Sequence, residues 1–308
     1  MKIVANDIQL EVEDAGGEGT PVLLIMGLGG QLIHFPDSFV RLLGQSGHRA
    51  IRFDNRDAGL SQHLPGLGTP HPLWAGLRHM VGATVHAPYT LHDMAQDALG
   101  VLDALGIARA HLVGVSMGGM IAQRMAIAAP ARCATLTSIM SSSGARGLPG
   151  PRAEVLRVMS VKPNAHDSEA VVRYYLDFFR AIGGPAYAVP EARMREQVRQ
   201  SVARDYDPSG NLRQMAAILA DGTRANELQR VACPTLVLHG DADPFVRIEC
   251  GRDTARRIPG ARFVDIEGAG HDLAPAAFDA YARHLLPFLH QHPIPGAALT
   301  AAPLSAAP

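Results

Sequence analysis

His111-Leu112-Val113-Gly114-Val115-Ser116-Met117-Gly118-Gly119-Met120 is the stretch of the chain that decides its fold. The apolar run at residues 112–115 predicts a buried strand, and a helical pattern follows at residues 120–129. A serine at the apex of a tight turn from strand to helix is called a nucleophile elbow. Glycines flank it because side chains there would collide with the strand and the helix. The alternative is a glycine-rich turn whose serine only caps the helix.

Short apolar strands alternate with helices on both sides of this elbow. This alternation predicts a mostly parallel central sheet with helices on both faces, an α/β fold. Residues 3–12 alternate apolar and polar side chains and predict an antiparallel hairpin. The other predicted strands are residues 22–26, 49–54, 134–140, 235–238 and 262–266, and the other predicted helices are residues 36–45, 91–105, 249–258 and 276–289.

A helical insertion interrupts the alternation. From residue 141 to about residue 230 the pattern is helical throughout, with breaks at Gly and Pro. We therefore expect a core built from residues 1–140 and 231–292, with residues 141–230 inserted between its two parts. Residues 293–308 are mostly Ala, Pro and other small residues, which predicts a disordered tail.

Composition limits the classes of protein and partner. The chain has 308 residues, 47% of them hydrophobic, and a formal net charge of -1, so it can bury a large core. The absence of a basic stripe argues against nucleic acid or an anionic membrane as the main partner. No apolar run approaches the length of a membrane span, and the N-terminal sequence turns polar at once. We expect a cytoplasmic monomer or homodimer, with Cys133, Cys233 and Cys250 as reduced thiols.

Candidate partners for the serine follow two later strands. A serine hydroxyl needs a general base, usually His, and a carboxylate that orients the His. In sheets of this type, functional residues lie at the carboxyl ends of strands. His239-Gly240-Asp241-Ala242-Asp243 follows the strand at 235–238, and Gly268-Ala269-Gly270-His271-Asp272 follows the strand at 262–266. His271 is thus the candidate base, and both Asp241 and Asp243 are candidates for the acid.

Other interpretations of these loops remain open. His271 could be a solvated loop histidine, although the glycines around Ala269 at a strand end make that less favoured. A metal held by His239, Asp241 and Asp243 is conceivable, but no Cys/His spacing supports it. We therefore predict no metal site.

Two backbone N–H groups are candidates for stabilising an oxyanion. Met117 N–H lies at the start of the elbow helix, and Leu28 N–H lies in the turn Gly27-Leu28-Gly29-Gly30 after the strand at 22–26. The predicted oxyanion and substrate-binding residues are Leu28, Met117, Gly27 and Trp74. Trp74 belongs to an apolar patch with Leu77 and Met80, which either lines a hydrophobic pocket or seals an interface.

Taken together, these motifs resemble the α/β-hydrolase family, and the resemblance covers the chain up to about Pro293. The matching pieces are Met26-Gly27-Leu28-Gly29, Phe53-Asp54-Asn55-Arg56-Asp57-Ala58-Gly59-Leu60-Ser61, Gly114-Val115-Ser116-Met117-Gly118, Gly240-Asp241-Ala242-Asp243 and Gly270-His271. The Met-Gly form of the first piece, with the Asn-Arg-Asp loop, resembles the branch containing aclacinomycin methylesterase.

The resemblance implies more than the residues alone do. It implies a triad of Ser116, Asp243 and His271, and a helical cap at residues 141–230 lying over the serine. It further implies a serine hydrolase that cleaves esters of small hydrophobic molecules through an acyl-enzyme, without a cofactor. Relatives of this appearance also include lactonases, cofactor-free haloperoxidases and carbon–carbon bond hydrolases, and the same fold can serve as a ligand receptor with a dormant triad.

Overall fold

The computed structural model describes residues 1–295 of the chain. The tail predicted at residues 293–308 lies outside the described residues except for its first three positions. Within residues 1–295, the three cysteines are free and buried. No helix in the same range is long and apolar enough to cross a bilayer.

An eight-stranded, mostly parallel sheet forms the centre of the molecule, which confirms the predicted α/β fold class. Its strand order is β1-β2-β4-β3-β5-β6-β7-β8, and only the β1–β2 and β2–β4 pairs are antiparallel. The strands are β1 (Lys2–Ala5), β2 (Ile8–Asp14), β3 (Thr20–Ile25), β4 (His48–Phe53), β5 (Ala110–Val115), β6 (Cys133–Ile139), β7 (Thr235–Gly240) and β8 (Arg262–Ile266).

Helices cover both faces of this sheet because alternate residues of each strand point to opposite sides. Leu23 and Ile25 of β3 pack in one cluster with α3 (Leu91–Ala104) and α4 (Met117–Ala128), whereas Val22 and Leu24 pack in a second cluster with α1 (Asp37–Gln45) and α11 (Pro275–His290). The helices of the core are α1 (Asp37–Gln45), α2 (Pro72–Met80), α3 (Leu91–Ala104), α4 (Met117–Ala128), α10 (Ile248–Arg257) and α11 (Pro275–His290).

The segment between β6 and β7 is helical, as the sequence pattern predicts. It contains α5 (Ala153–Met159), α6 (Ser168–Ile182), α7 (Glu191–Arg204), α8 (Pro208–Ala220) and α9 (Arg224–Glu227), with short 3-10 turns between some of them. Three side chains at the α6–α7 pair, Val172, Leu176 and Val198, form a small apolar cluster of their own. These helices therefore pack partly on one another and partly on loops of the sheet.

Helix α2 was not predicted, and its apolar side chains lie on the surface. Trp74 is 61% exposed and Met80 is 82% exposed, while Ala75 on the other face is buried. The structure therefore encloses Trp74 neither in a pocket nor in a sealed interface. Gly76 in the middle of this stretch weakened the helical signal, because Gly disfavours helix interiors.

Candidate active site

Ser116 occupies a strained turn between β5 and α4, as the elbow motif predicts. Its backbone has φ 56° and ψ -120°, a conformation that residues with a Cβ rarely adopt. A Cβ at Gly114 would overlap the carbonyl of Gly118, and one at Gly118 would overlap the carbonyl of Ile25. The two glycines thus allow strand and helix to cross closely enough to hold the serine between them.

His271 and Asp243 form a buried acid–base pair at the ends of neighbouring strands. His271 Nδ1 lies 2.7 Å from Asp243 Oδ2, and the two residues are 6% and 2% exposed. The other carboxylate oxygen, Oδ1, accepts hydrogen bonds from the N–H groups of Phe245 and Val246. Asp241 instead points to the surface and accepts a hydrogen bond from Gly268 N–H. Of the two carboxylates that the sequence left open, Asp243 is the one that contacts the histidine.

The surroundings of Asp243 favour its ionised form. Burial raises the pKa of this carboxyl, but interaction with His271 and hydrogen bonds from His239 and His271 outweigh it, so the pKa lies below its usual value. His239 Nε2 lies 3.6 Å from Asp243 Oδ2 and 2.7 Å from the carbonyl oxygen of Val246. His239 therefore helps to hold the loop that carries the acid.

The strand register brings the serine to the same edge of the sheet as this pair. Val115 at the end of β5 is aligned with Ile139 of β6, which is aligned with Leu238 of β7. Ser116 N–H donates to the carbonyl of Ile139, continuing this row. In the part of the chain that the structure describes, Ser116 Oγ makes no hydrogen bond, so a link to His271 is not formed in this conformation.

The turn after β3 lies directly against the serine. A Cβ at Gly27 would be 3.0 Å from Ser116 Cβ, closer than an ordinary van der Waals contact. Asn55 Nδ2 donates to the carbonyl of Met26 at 2.9 Å and fixes the start of this turn. Within residues 1–295, the N–H groups of Leu28 and Met117 donate to no other group. Both donors are thus free within the described residues.

Helix α8 holds the same turn from the other side, which sequence reasoning missed. Gln214 is fully buried, accepts a hydrogen bond from Gly29 N–H at 2.8 Å and donates one to the carbonyl of Arg56 at 2.7 Å. Gln31 donates to the carbonyl of Ser201 at the end of α7. The sequence did contain a signal for this contact, namely a glutamine within the largely apolar pattern at residues 212–219. A polar side chain buried in such a helix is normally hydrogen-bonded, so a partner could have been expected.

The loop after β4 anchors the inserted helices through buried ion pairs. Each of its charged residues has a partner elsewhere: the pairs are Asp54–Arg204 on α7, Arg56–Asp97 on α3 and Asp57–Arg213 on α8. Sequence reasoning used this loop only as a family motif. Three charges at the end of an apolar strand were a signal for such pairing, because buried charges are rarely left alone.

One group of side chains has the composition of a metal site. Ligand atoms of Asp57, His63 and Asp207 lie within 4.8 Å of one another. Arg213, however, donates hydrogen bonds to both Asp57 and Asp207 and already supplies their positive charge. We therefore interpret the group as part of the ion-pair network.

Aromatic rings and a large cavity border the histidine. The ring of Phe245 meets that of His271 edge-on with centroids 5.0 Å apart, and the ring of Phe178 on α6 meets Phe245 at 5.7 Å. Beside His271 lies a cavity of about 660 Å³, between α1 and the start of α11 on one side and α6 and α7 on the other. Apolar rings near His271 therefore come from the acid loop and α6, and not from α2.

Comparison with known proteins agrees with this fold. Residues 20–275 match a family model described as the alpha/beta hydrolase fold. Rhodomycin D methylesterase DnrP of Streptomyces peucetius is 30% identical over 303 residues, covering 91% of this chain and 95% of that protein. Rhodomycin D methylesterase DauP of Streptomyces sp. (strain C5) is also 30% identical, with 91% and 94% covered.

The backbone fold is also similar to that of a solved structure. The enol-lactonase from Burkholderia xenovorans LB400 superimposes with a TM-score of 0.73 at 23% identity, covering 94% of this chain and all of that one. At this identity the likeness concerns the fold alone.

Proposed function

The chain belongs to the α/β-hydrolase family, and from this premise we propose that it is a carboxylic ester hydrolase using Ser116, His271 and Asp243. The observation that carries the proposal is the buried 2.7 Å contact between His271 Nδ1 and Asp243 Oδ2. In this arrangement Nδ1 carries the imidazole proton and donates it in a hydrogen bond to the carboxylate, and Nε2 is the unprotonated, basic nitrogen. The names of the two methylesterases support the same reaction class.

The reaction begins when His271 Nε2 removes the hydroxyl proton of Ser116. The serine oxygen then attacks the ester carbonyl, and His271 gives the proton to the departing alcohol oxygen. Water, activated by the same nitrogen, releases the acid from the acyl-enzyme. Such serine–histidine hydrogen bonds are often long without substrate, so the unformed bond in this conformation is compatible with the proposed role of His271.

Negative charge on the carbonyl oxygen is stabilised by backbone donors. The N–H groups of Leu28 and Met117 flank Ser116 and have no other acceptor within the described chain. Preorganised donors of this kind stabilise the tetrahedral intermediate more than the ground state, and removing one typically costs about 10²–10³ in kcat. Gly27 serves this site by letting the turn approach the serine.

The helical segment acts as a cap over this site. We assign residues 1–140 and 231–292 to the catalytic core and residues 141–230 to the cap. Gln214 of α8 binds the turn that carries Leu28, and the carbonyl of Ile182 at the end of α6 accepts a hydrogen bond from His271 N–H. Phe178 of α6 and Phe245 give the site an apolar wall suited to small hydrophobic substrates.

Hydrolysis of p-nitrophenyl esters of graded acyl length tests the proposal. The wild-type chain should release p-nitrophenol, and Ser116→Ala should lower kcat by roughly 10⁴–10⁶ while the fold is retained. A fluorophosphonate should label the wild type and not this variant. Ser160→Ala, which changes an exposed serine at the end of α5, is the control. A decrease of less than tenfold for Ser116→Ala, or equal labelling of both proteins, would contradict the proposal.

A further inference from the structure

The cavity beside His271 has a defined place relative to the reacting atoms. Its wall includes His271 but not Ser116. In the proposed reaction, His271 gives its proton to the departing oxygen, so the alcohol half of the ester lies next to the imidazole. A cavity whose wall includes His271 is therefore placed to receive the alcohol half. This inference rests on the proposed function.

The acidic side chains of the cavity wall are already paired. Asp37 Oδ1 lies 2.8 Å from Arg52 Nη2. The carboxylate of Asp272 accepts hydrogen bonds from the N–H groups of Gly184, at 3.0 Å, and Gly270, at 2.6 Å. Within residues 1–295, neither acid forms an ion pair or a hydrogen bond with Arg41 or Arg193.

Four arginines line the same cavity, and two of them lack a partner. Arg52 pairs with Glu13 as well as Asp37, and Arg180 pairs with Asp177 and Glu191. The other two are Arg41 on α1 and Arg193 on α7, both of them exposed. Neither forms an ion pair or a side-chain hydrogen bond within residues 1–295.

Unpaired positive charge in a cleft favours an anionic ligand, because the low-dielectric walls focus the field into the opening. The guanidinium group presents two parallel N–H donors that match a carboxylate or a phosphate. Helix α11 also begins at this cavity, and no side chain caps its N-terminus. Its partial positive charge adds to that of the arginines.

We propose that this cavity binds the alcohol half of an ester whose alcohol carries a carboxylate or phosphate group, with Arg41 and Arg193 as its counter-charges. The acyl half lies on the Ser116 side, near the aromatic rings of Phe178 and Phe245. A methyl ester would leave the cavity empty, so this chain differs in its preferred alcohol from an enzyme dedicated to methyl esters.

Three small esters place the charge differently and test the proposal. In 4-acetoxybenzoate the carboxylate is on the alcohol half, in p-nitrophenyl hemisuccinate it is on the acyl half, and 4-acetoxybenzamide is neutral. For Arg41→Gln/Arg193→Gln, the ratio of kcat/KM for 4-acetoxybenzoate to that for 4-acetoxybenzamide should fall about tenfold relative to wild type. Raising the salt concentration should reduce the same ratio in the wild type, since exposed charges are screened. Arg262→Gln, which changes an exposed arginine outside the cavity wall, is the matched control.

Product inhibition identifies the anionic group. The compounds are 4-hydroxybenzoate, phenyl phosphate and neutral 4-hydroxybenzamide, each tested as a competitive inhibitor of the wild type and the double variant. The proposal requires at least one anion to bind more tightly than the amide and to lose that advantage in the double variant. The tighter of the two anions then tells whether the alcohol carries a carboxylate or a phosphate.

The outcomes separate this inference from the proposed function. The assignment of an anionic alcohol to this cavity is overturned if the double variant changes the ratio of kcat/KM for 4-acetoxybenzoate to that for 4-acetoxybenzamide by less than twofold. It is also overturned if the ratio of kcat/KM for p-nitrophenyl hemisuccinate to that for 4-acetoxybenzamide falls as much as the first ratio. If the wild type hydrolyses none of the three esters, the proposed function fails. Calorimetric titration of the protein with 4-hydroxybenzoate would still decide whether Arg41 and Arg193 bind an anion.

Discussion

Asp241 and Asp243 lie in one loop, but the loop conformation gives them different environments. Asp243 N–H donates to the carbonyl of Gly240, which turns the Asp243 side chain inward to His271, whereas Asp241 stays exposed. The sequence located this loop and the histidine because functional groups gather at strand ends. The residue pattern alone did not choose between the two carboxylates, since a tight turn that reverses side-chain direction leaves no periodic pattern, and only the family resemblance indicated Asp243.

Replacing each carboxylate in turn tests this assignment. Asp243→Asn should lower kcat about 10⁴-fold, because the amide no longer holds His271 in the tautomer that leaves Nε2 basic. Asp241→Asn changes the exposed neighbour and should have little effect on turnover. Kinetics of both variants with one p-nitrophenyl ester make the comparison, with thermal unfolding to confirm that each is folded. Equal losses in the two variants would rule out Asp243 as the only orienting acid.

Among the elements, the strands and helices of the sheet core were predicted well, and the contacts of the inserted helices were not. Strands such as β5 and β6 are fully buried and stand out as apolar runs, and α3 has a capping residue, Thr90, and a clear helical period. The hydrogen bonds of α8 to the turn after β3 join residues 185 positions apart. No local pattern encodes such a contact, so the role of Gln214 emerged only in three dimensions.

Helix α8 should influence catalysis through that contact. Gln214→Met keeps the volume of the side chain but removes its bonds to Gly29 N–H and the Arg56 carbonyl. We expect kcat to fall roughly 10–100-fold with a smaller change in KM, because small displacements of a positioned donor weaken the transition state most. An aryl boronic acid, which mimics the tetrahedral intermediate, should bind correspondingly less tightly.

Two measurements separate this positioning role from a purely structural one. Gln45→Met, at the exposed end of α1, controls for the substitution itself. A Gln214→Met protein with lower thermal stability but wild-type kcat and boronate affinity would show that Gln214 only stabilises the fold.

At the scale of the whole molecule, two buried histidines lie near the amino ends of the parallel strands, opposite the end that carries the candidate active site. His48 and His111, near the starts of β4 and β5, have ring centroids 6.0 Å apart, and His290 of α11 stacks on His48 at 5.2 Å. Burial, reinforced by neighbouring histidines, lowers the pKa of His48 to about 4 and that of His111 to about 3. Both side chains are therefore neutral in the folded protein at pH 6.

This arrangement predicts a loss of stability in mild acid. In the unfolded chain these two histidines become protonated near pH 6.5, whereas in the folded chain they become protonated only at about pH 4 or below. The free energy of unfolding should therefore fall as pH drops from 6.5 towards 4. A histidine titrating alone with a folded pKa near 4 contributes about 2 kcal/mol to this loss at pH 5.

Urea unfolding between pH 7.5 and 4.5 measures how steeply the free energy of unfolding falls with pH. His111→Asn keeps a polar group near Thr135 Oγ1 but does not titrate, so it should make the fall of the unfolding free energy with pH less steep. His92→Asn, on the exposed face of α3, should leave this fall unchanged. A wild-type free energy that is constant down to pH 5 would mean that these histidines are accessible to protons in the folded state.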